Sequence, residues 1–261
     1  MRLYYRYIAL LLKAQLQYRS SFWLLALGQL GMPFALLAGV YLLFQKFGSI
    51  RGWSFAEVAL CFAVIHMAFA ISECCARGFD GFATLVAGGD FDRILVRPRG
   101  TVLQVLGSRF EFSRVGRLIQ GIAVLIWAIS RLSIGWNVAK GITLALMVVS
   151  GACVFTGLFI LAATLCFWTI QGLEIVNIFT DGGREMGQYP LGIYQKWAVR
   201  FFTFVIPFGC VNYLPLLYLL GKAEGPRSWL YMLSPWAGIL FLLPCLGVWR
   251  IGVRHYRSTG S

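Results

Sequence analysis

The residues of this chain that could do chemistry are few and scattered. The closest acidic pair is Asp90 and Asp92, whose carboxylates could hold a divalent cation. Arg93 follows directly, and Arg97 lies one helical turn further on. Because a hard cation requires more oxygen ligands than this segment offers, we expect the carboxylates to pair with arginine and predict no metal site.

Sequence signatures of enzymes are missing. The chain contains no G-x-x-x-x-G-K-[ST] phosphate-binding loop, no G-x-S-x-G elbow and no H-E-x-x-H helix. Its 10 acidic residues and 2 histidines form no cluster of the kind that acid–base catalysis requires. The sequence therefore predicts no catalytic residue and no cofactor in this chain.

The elements that must position any functional residue are long uncharged stretches. A helix needs about 20 apolar residues to cross a membrane. Six stretches are candidates, of which the second and third are short and reach spanning length only by including Glu57 or Arg131 at their ends. They cover residues 21–45, 58–72, 118–130, 141–173, 201–221 and 228–249. Only 13% of the residues are charged, against about 25% in soluble domains. The sequence predicts an all-α, polytopic integral membrane protein with six transmembrane helices, in a single domain over residues 1–261.

The basic residues predict the orientation of these spans. Of the 23 Lys and Arg residues, seventeen fall in the N-terminal segment, the second and fourth loops and the C-terminal tail. Basic loops stay on the cytoplasmic side, so both termini and the loop at 73–117 are predicted to be cytoplasmic, in a bacterial inner membrane. The net charge of +13 is interpreted as attraction to membrane lipids. Nucleic acid is not predicted as a partner, because the basic residues are dispersed over separate segments.

Two cytoplasmic segments have amphipathic patterns. Residues 1–20 carry one polar stripe, which is typical of a helix lying in the membrane interface; an early start of the first span is the alternative. In the loop at 73–117, Phe79, Phe82 and Leu85 recur at helical intervals between glycines. This spacing predicts one short helix that a partner protein could grip. The alternative is that these side chains pack against the membrane surface or the protein's own spans.

A second helix is predicted beyond Pro98, which disfavours helical geometry at Arg97. Leu103, Leu106 and Phe110 share one helical face. We interpret this segment as a helix that leads into the third span, with Arg114 and Arg117 reaching for lipid headgroups.

Four residues inside the predicted spans are candidates for a substrate pathway. They are His66, Phe204, Phe208 and Asn212. An ionisable group near the middle of a span indicates a substrate contact or a proton carrier. The alternatives are a neutral imidazole that is hydrogen-bonded across helices and ordinary aromatic packing. Pro207 and Pro215 predict a bend in the fifth span, because each removes a backbone hydrogen bond.

Three motifs resemble the permeases of ATP-binding-cassette (ABC) exporters, type-two branch. They are G-G-D-F-D-R-I-L-V-R-P at 88–98, L-G-S-R-F-E at 106–111 and Y-P-L-G-I-Y at 189–194. The resemblance implies two permease subunits, of the same or different chains, with a separate ATPase subunit docked on each and carrying ATP and magnesium. It also implies a cytoplasmic coupling helix and export of a substrate by alternating access. An integral-membrane enzyme acting on lipid-linked substrates and a passive channel or scaffold are the alternative functions.

In that family context the helix of the second loop becomes a docking site for the ATPase. We predict that the apolar side chains of Phe79, Phe82 and Leu85 fill a groove on the ATPase. Charged contacts at the rim of the interface would fix the orientation. The residues expected to make them are Asp90, Asp92, Arg93 and Arg97.

Overall fold

The computed structural model describes residues 2–169, 172–223 and 228–256, with the backbone alone described at residues 2–6 and 172–177. Apart from an isolated bridge between Ile50 and Trp53, these residues form helices and their connections. The α-helices are α1 (Arg2–Leu16), α2 (Arg19–Phe47), α3 (Phe55–Asp80), α4 (Phe82–Ala87), α5 (Asp90–Val96), α6 (Thr101–Leu106), α7 (Val115–Arg131), α8 (Val138–Leu165), α9 (Gly172–Gly187), α10 (Lys196–Phe204), α11 (Leu214–Leu219), α12 (Ser228–Leu233) and α13 (Trp236–His255).

Helices α2, α3, α7, α8 and α13 are long and apolar enough to cross a membrane. A sixth crossing is possible by length and composition where two further apolar helices are joined by a sharp bend. The prediction of an all-α, polytopic membrane protein is therefore confirmed. The chain crosses in antiparallel steps, so α4, α5 and α6 lie at one end of the bundle. We call that end the α4–α6 face, and the end with Trp53 and the start of α8 the opposite face.

Helix α3 is the centre of the bundle. It packs between α7 and α8, and 78% of its most apolar stretch is buried. Helix α2 crosses α7 closely at Gly116, where an added Cβ would come within 2.1 Å of the carbonyl oxygen of Ala26. Only glycine permits this approach of two backbones.

The predicted N-terminal helix is present as α1, and the turn at Gln17 and Tyr18 separates it from α2. The Gln15 side chain fastens it to the loop before α7. The Gln15 Oε1 atom accepts a hydrogen bond from the Phe112 amide at 3.2 Å, and its Nε2 atom donates to the Phe110 carbonyl. The position of α1 in the membrane interface stays a prediction.

The stretch predicted as the fifth span is broken. Helix α10 and the helical segment Gly209–Leu219 meet at an angle of 88°, and Pro207 lies in the break. The predicted bend is confirmed there, since proline lacks the amide that would continue the helix. Pro215 lies in the first turn of α11, where a missing amide costs little. A π-helical turn, Gly209–Tyr213, leads from the break into α11.

Both arms of this bent pair end on the opposite face. The chain before α10 packs there, because its residue Gly192 contacts the ring of Tyr213. The ring of Tyr213 in turn lies 6.2 Å from the ring of Trp53, which is on the opposite face. Helix α11 ends on the same side, where the Leu219 carbonyl accepts a hydrogen bond from Lys140 Nζ at 2.9 Å. The pair is therefore a re-entrant hairpin and not a crossing, which corrects the predicted span at 201–221.

Helix α9 supplies the remaining crossing. It runs antiparallel to α3, with Arg184 beside Phe69 and Gly187 beside Ile65. Sixteen helical residues extend for about 24 Å, and the chain from Tyr189 completes the path to the opposite face. The predicted number of six crossings is thus retained in the described part of the chain, with a different fifth member.

With α9 as the fifth crossing, three basic residues no longer lie on the side predicted for them. Arg184 lies within the membrane layer, and Lys196 and Arg200 lie on the arm that starts at the opposite face. The α4–α6 side then carries fourteen of the Lys and Arg residues and the opposite side carries eight, with Arg184 counted on neither side. The bias is smaller but has the same sign, so it still favours a cytoplasmic α4–α6 face.

Thiol labelling in intact cells tests the re-entrant hairpin. A Lys196→Cys variant is expected to react with a membrane-impermeant maleimide as Arg51→Cys does, because both residues lie towards the opposite face. The Arg99→Cys variant should stay at the background level of the parent protein. If Lys196→Cys is protected together with Arg99→Cys and reacts only after permeabilisation, α10 begins on the α4–α6 face and the hairpin is wrong.

Candidate functional site

The loop at 73–117 contains three short helices, where the sequence predicted one short helix and a second that leads into the third span. Helix α4 ends at Gly88, and Gly89 adopts a left-handed backbone (φ 70°) that starts α5 in a new direction. Pro98 ends α5, as predicted, since Arg97 is extended (φ −76°, ψ 135°). Helix α6 stops at Leu106, so the helix expected to run from this region into the third span is absent. A 3-10 turn, Phe112–Arg114, comes before α7 instead.

An aromatic cluster fixes α4 and α5 to the ends of the spans. Trp249 of α13 lies at its centre, with ring centroids 5.1 Å from Phe79 and 5.0 Å from Phe82. Phe91 packs edge-on against Phe82 at 5.0 Å, and Phe167 after α8 lies 5.5 Å from Phe91. Aromatic pairs at these separations add to the energy of burial. The loop is therefore held firmly to α3, α8 and α13.

Helix α6 is joined to the same body. Gly78 of α3 lies so close to α6 that an added Cβ would meet the Val105 carbonyl oxygen at 1.9 Å. Trp249 Nε1 donates a hydrogen bond to the Thr101 hydroxyl oxygen at 3.0 Å. Gln104 Nε2 donates hydrogen bonds to the carbonyls of Ile94 and Arg99, and these bonds connect α6 to the end of α5. The three short helices thus form one packed unit with the spans.

The predicted docking residues divide into two groups. Phe79 and Phe82 are fully buried, so they hold α4 to the protein's own spans, as the alternative interpretation proposed. They cannot fill a groove on a partner in this arrangement. Leu85 is half-buried against the same core, and Asp92 is also half-buried. The other three, Asp90, Arg93 and Arg97, are exposed. Docking by this segment stays a prediction, with a different set of contacting side chains.

The exposed apolar side chains of this region lie on α5 and α6. Val96 is 85% exposed, and Leu95 and Leu103 are also open to solvent. Of these three, Leu103 lines a cavity of about 270 Å³ between the end of α5, α6 and α1. Its lining includes Tyr7, Ile94, Arg97, Pro98, Leu103 and Gly107. An apolar pocket with arginine at its rim can receive a side chain of a partner protein.

Ion pairs lock α2, α3 and α7 together beside this face. The buried carboxylate of Glu73 contacts Arg117 at 2.5 Å, Arg114 at 3.5 Å and Arg77 at 3.7 Å. Arg117 also donates to Gln29 Oε1 of α2 at 2.8 Å. The arginines were expected to reach for lipid headgroups, but Arg114 and Arg117 point into the bundle. A buried carboxylate is favourable only with such partners, so the packing of α3 against α7 depends on these ion pairs.

His66 and Asn212 bridge packed helices. His66 Nε2 lies 3.3 Å from Gln188 Oε1, and the imidazole stacks on Phe62 at 3.9 Å. Asn212 Nδ2 donates to the Gly187 carbonyl at 2.8 Å and to a carbonyl of α3. Both side chains are buried, which matches the alternative of polar bridging between spans. Their role in a pathway stays a prediction.

The other two pathway candidates lie at the turn of the re-entrant hairpin. Phe208 is buried against Phe155 at 4.9 Å, and an added Cβ on Gly183 would collide with its ring. Phe204 is 83% exposed. Of the four candidates, Phe204 alone presents its side chain outside the subunit, so the turn reaches the surface near the middle of the bundle.

Charged side chains occupy one exposed face of α9. Asp181 has 60% of its side chain exposed and Glu185 has 46%, one helical turn apart. Arg184 lies between them and contacts both, at 3.3 Å and 2.9 Å. Gln188 links Glu185 to His66 through its amide, donating to Glu185 Oε2 at 2.7 Å. Two carboxylates on an exposed surface of a membrane helix require water or protein around them.

A family model of ABC-2 family transporter proteins matches residues 30–260. The chain belongs to the ABC-2 transporter family. No curated protein and no solved structure matches it. As an ABC-2 family protein, the chain is a permease component of an ABC transporter, which works with an ABC ATPase subunit. The family match therefore indicates a transport subunit of the membrane.

The described part of this permease contains no group of three or more His, Cys, Asp or Glu residues that could hold a metal ion. Asp90, half of the pair considered above, lies 3.4 Å from Arg93 in an exposed ion pair. Its carboxylate is therefore directed to arginine, as the sequence indicated.

Sequence reasoning missed the charged face of α9 and the Glu73 cluster. A usable signal existed for each. Asp181, Arg184 and Glu185 follow one another at helical spacing between apolar residues, which is typical of a helix with one polar stripe. Glu73 and Arg77 lie four residues apart at the end of a span, where arginines of the next helix could be expected to join them.

Proposed function

We propose that this permease is the membrane-spanning subunit of an ATP-driven exporter that moves its substrate by alternating access. The observation that supports it is the family match, combined with a segment of three short helices displayed at one end of the bundle. In this proposal the ATPase subunit carries ATP and magnesium and docks on α4–α6 from the cytoplasm of a bacterial cell. A second permease, either another copy or a different chain, completes the membrane part.

The rigid attachment of the segment supports a mechanical role. The aromatic cluster around Trp249 and the close contact at Gly78 connect α4–α6 to α3, α8 and α13. A displacement imposed by the ATPase would then be passed to whole spans, because packed interiors shift as bodies and do not deform gradually. Exchange between inward-open and outward-open states follows from such rocking.

The exposed face of α9 is the best candidate for the wall of the pathway. Asp181 and Glu185 would be costly in contact with lipid tails, and charged groups in spans usually face a water-filled cavity or another helix. The re-entrant turn with Phe204 lies beside it, since the rings of Phe179 and Phe201 are 6.2 Å apart. We therefore assign α9 and the re-entrant turn to the pathway between two permeases.

Water accessibility of α9 gives a test that needs no substrate. In reconstituted membranes, an Asp181→Cys variant should react with a hydrophilic thiol reagent about tenfold faster, or more, than Ile126→Cys, because thiolates form only in water. Ile126 is a suitable control because it is 64% exposed on the apolar surface of α7. Equal, slow labelling of both positions would place α9 against lipid and would contradict the pathway assignment.

Purification tests the function itself. Extracted in a mild detergent from cells that produce its natural partners, the permease is expected to retain an ABC ATPase, and the complex should hydrolyse ATP. A membrane enzyme or a passive channel would purify without such a subunit. Isolation of a stable permease with no ATPase, under conditions that preserve other ABC complexes, would argue for one of those alternatives.

A further inference from the structure

A second cleft lies on the α4–α6 face where α1 meets α2. Its volume is about 460 Å³, and its walls come from α2 and from the loop before α7. The lining includes Tyr18, Ser21, Leu25, Arg109, Phe110 and Ser113. Glu111 and Arg114 also line it, and they form an ion pair with each other at 3.0 Å. The cleft is separate from the pocket beside Val96 and from the charged face of α9.

The polar side of the cleft carries a cationic group and hydroxyl groups that can bind an anion. Arg109 has 60% of its side chain exposed, and its ion pair with Glu111 is long, at 3.9 Å. In the part of the chain that the structure describes, the hydroxyls of Tyr18, Ser21 and Ser113 have no hydrogen-bond partner. A guanidinium with several hydroxyls nearby is a favourable environment for a phosphate group.

The other side of the cleft is apolar and continues into the membrane layer. Leu25 is 57% exposed on α2, one helical turn after Ser21 in the direction of the membrane interior. Phe22 and Phe110 complete this side. Polar groups therefore lie where the chain enters the membrane, and apolar groups follow towards the hydrocarbon. This order matches an amphiphile with a headgroup at the interface and chains along α2.

We propose that this cleft binds one anionic glycerophospholipid. The phosphate lies beside Arg109 and the hydroxyls, and an acyl chain follows Phe22 and Leu25 along α2. The bound lipid connects α1, α2 and the loop before α7 at the base of the ion-pair cluster. A free phosphate ion would use the polar side alone and leave the apolar side empty, so a lipid makes the fuller set of contacts.

Reconstitution of the full permease in phosphatidylcholine, with or without phosphatidylglycerol, tests the site. Phosphatidylglycerol is expected to raise the Tm of the parent protein. Arg109→Gln should weaken the apparent affinity for phosphatidylglycerol about tenfold, which is the contribution of one charge-assisted hydrogen bond. The double variant Ser21→Ala, Ser113→Ala retains every charge and should also bind less tightly.

Arg93→Gln is the matched control, because Arg93 lies on the same face, is 81% exposed and does not line the cleft. It should bind phosphatidylglycerol as the parent does. Equal losses in Arg93→Gln and Arg109→Gln would overturn the proposal and indicate general attraction to the charged membrane. A stabilisation by inorganic phosphate equal to that by phosphatidylglycerol would also overturn it, since the occupant would then be a free anion. Absence of any lipid-dependent Tm shift in the parent would have the same consequence.

Discussion

Replacing Glu73 with glutamine is expected to destabilise the folded permease by about 3–5 kcal/mol, the usual cost of removing one partner from a buried ion pair. The loss leaves Arg114 and Arg117 in a largely buried position without their shared carboxylate. Arg117 also contacts Gln29 of α2, so the contacts among three spans weaken together. Thermal unfolding in detergent, followed by the loss of monodisperse protein, measures the effect.

The control is Asp90→Asn, which removes a carboxylate from an exposed pair with Arg93. Exposed pairs of this kind contribute about 0–1 kcal/mol, so this variant should unfold close to the parent. If Glu73→Gln also unfolds within experimental error of the parent, the Glu73 cluster is not a structural element of the bundle.

Placing a charge at Val96 is expected to reduce the amount of bound ATPase about tenfold or more, because an unpaired carboxylate would be buried in an apolar contact. Val96 is the most exposed apolar residue of α5 and precedes Arg97, which lines the cavity near α6. The variant Val96→Asp should fold normally, since the side chain contacts little of its own protein. The ratio of ATPase to permease after affinity purification gives the result.

The matched control is Val138→Asp. Val138 is 80% exposed but lies at the start of α8 on the opposite face, where a cytoplasmic ATPase cannot reach. An acidic residue is also well tolerated in the first turn of a helix. Full ATPase binding by Val96→Asp would remove α5 from the interface, and equal losses in both variants would indicate a folding defect.

The sequence predicted the features that depend on local pattern. Apolar length identified five of the crossings, and Pro207 and Pro98 marked a break and a helix end that the structure contains. These succeeded because a proline acts on its own neighbours in any tertiary context. The motifs at 88–98, 106–111 and 189–194 also led to the ABC-2 family.

The features that failed depend on contacts between distant residues. Phe82 has the helical spacing of an exposed apolar stripe, but Trp249, far away in the sequence, covers it. The stretch at 201–221 is apolar enough for a span. The contacts of α9 with α3 nevertheless assign the crossing to α9, whose polar stripe hydropathy alone does not detect. Periodicity shows that a face is apolar, and tertiary packing decides what covers it.

Photo-crosslinking from the α4–α6 face tests most directly whether this permease is driven by a docked ATPase. A photoreactive amino acid in place of Val96, in the membranes of the native cell, is expected to capture a protein that mass spectrometry identifies as an ATPase with a phosphate-binding loop. The same substitution at Val138 should capture none. If Val96 yields only lipid adducts or proteins without that loop, while the permease is folded and produced at its normal level, the α4–α6 face is not the site where ATP hydrolysis is coupled to transport.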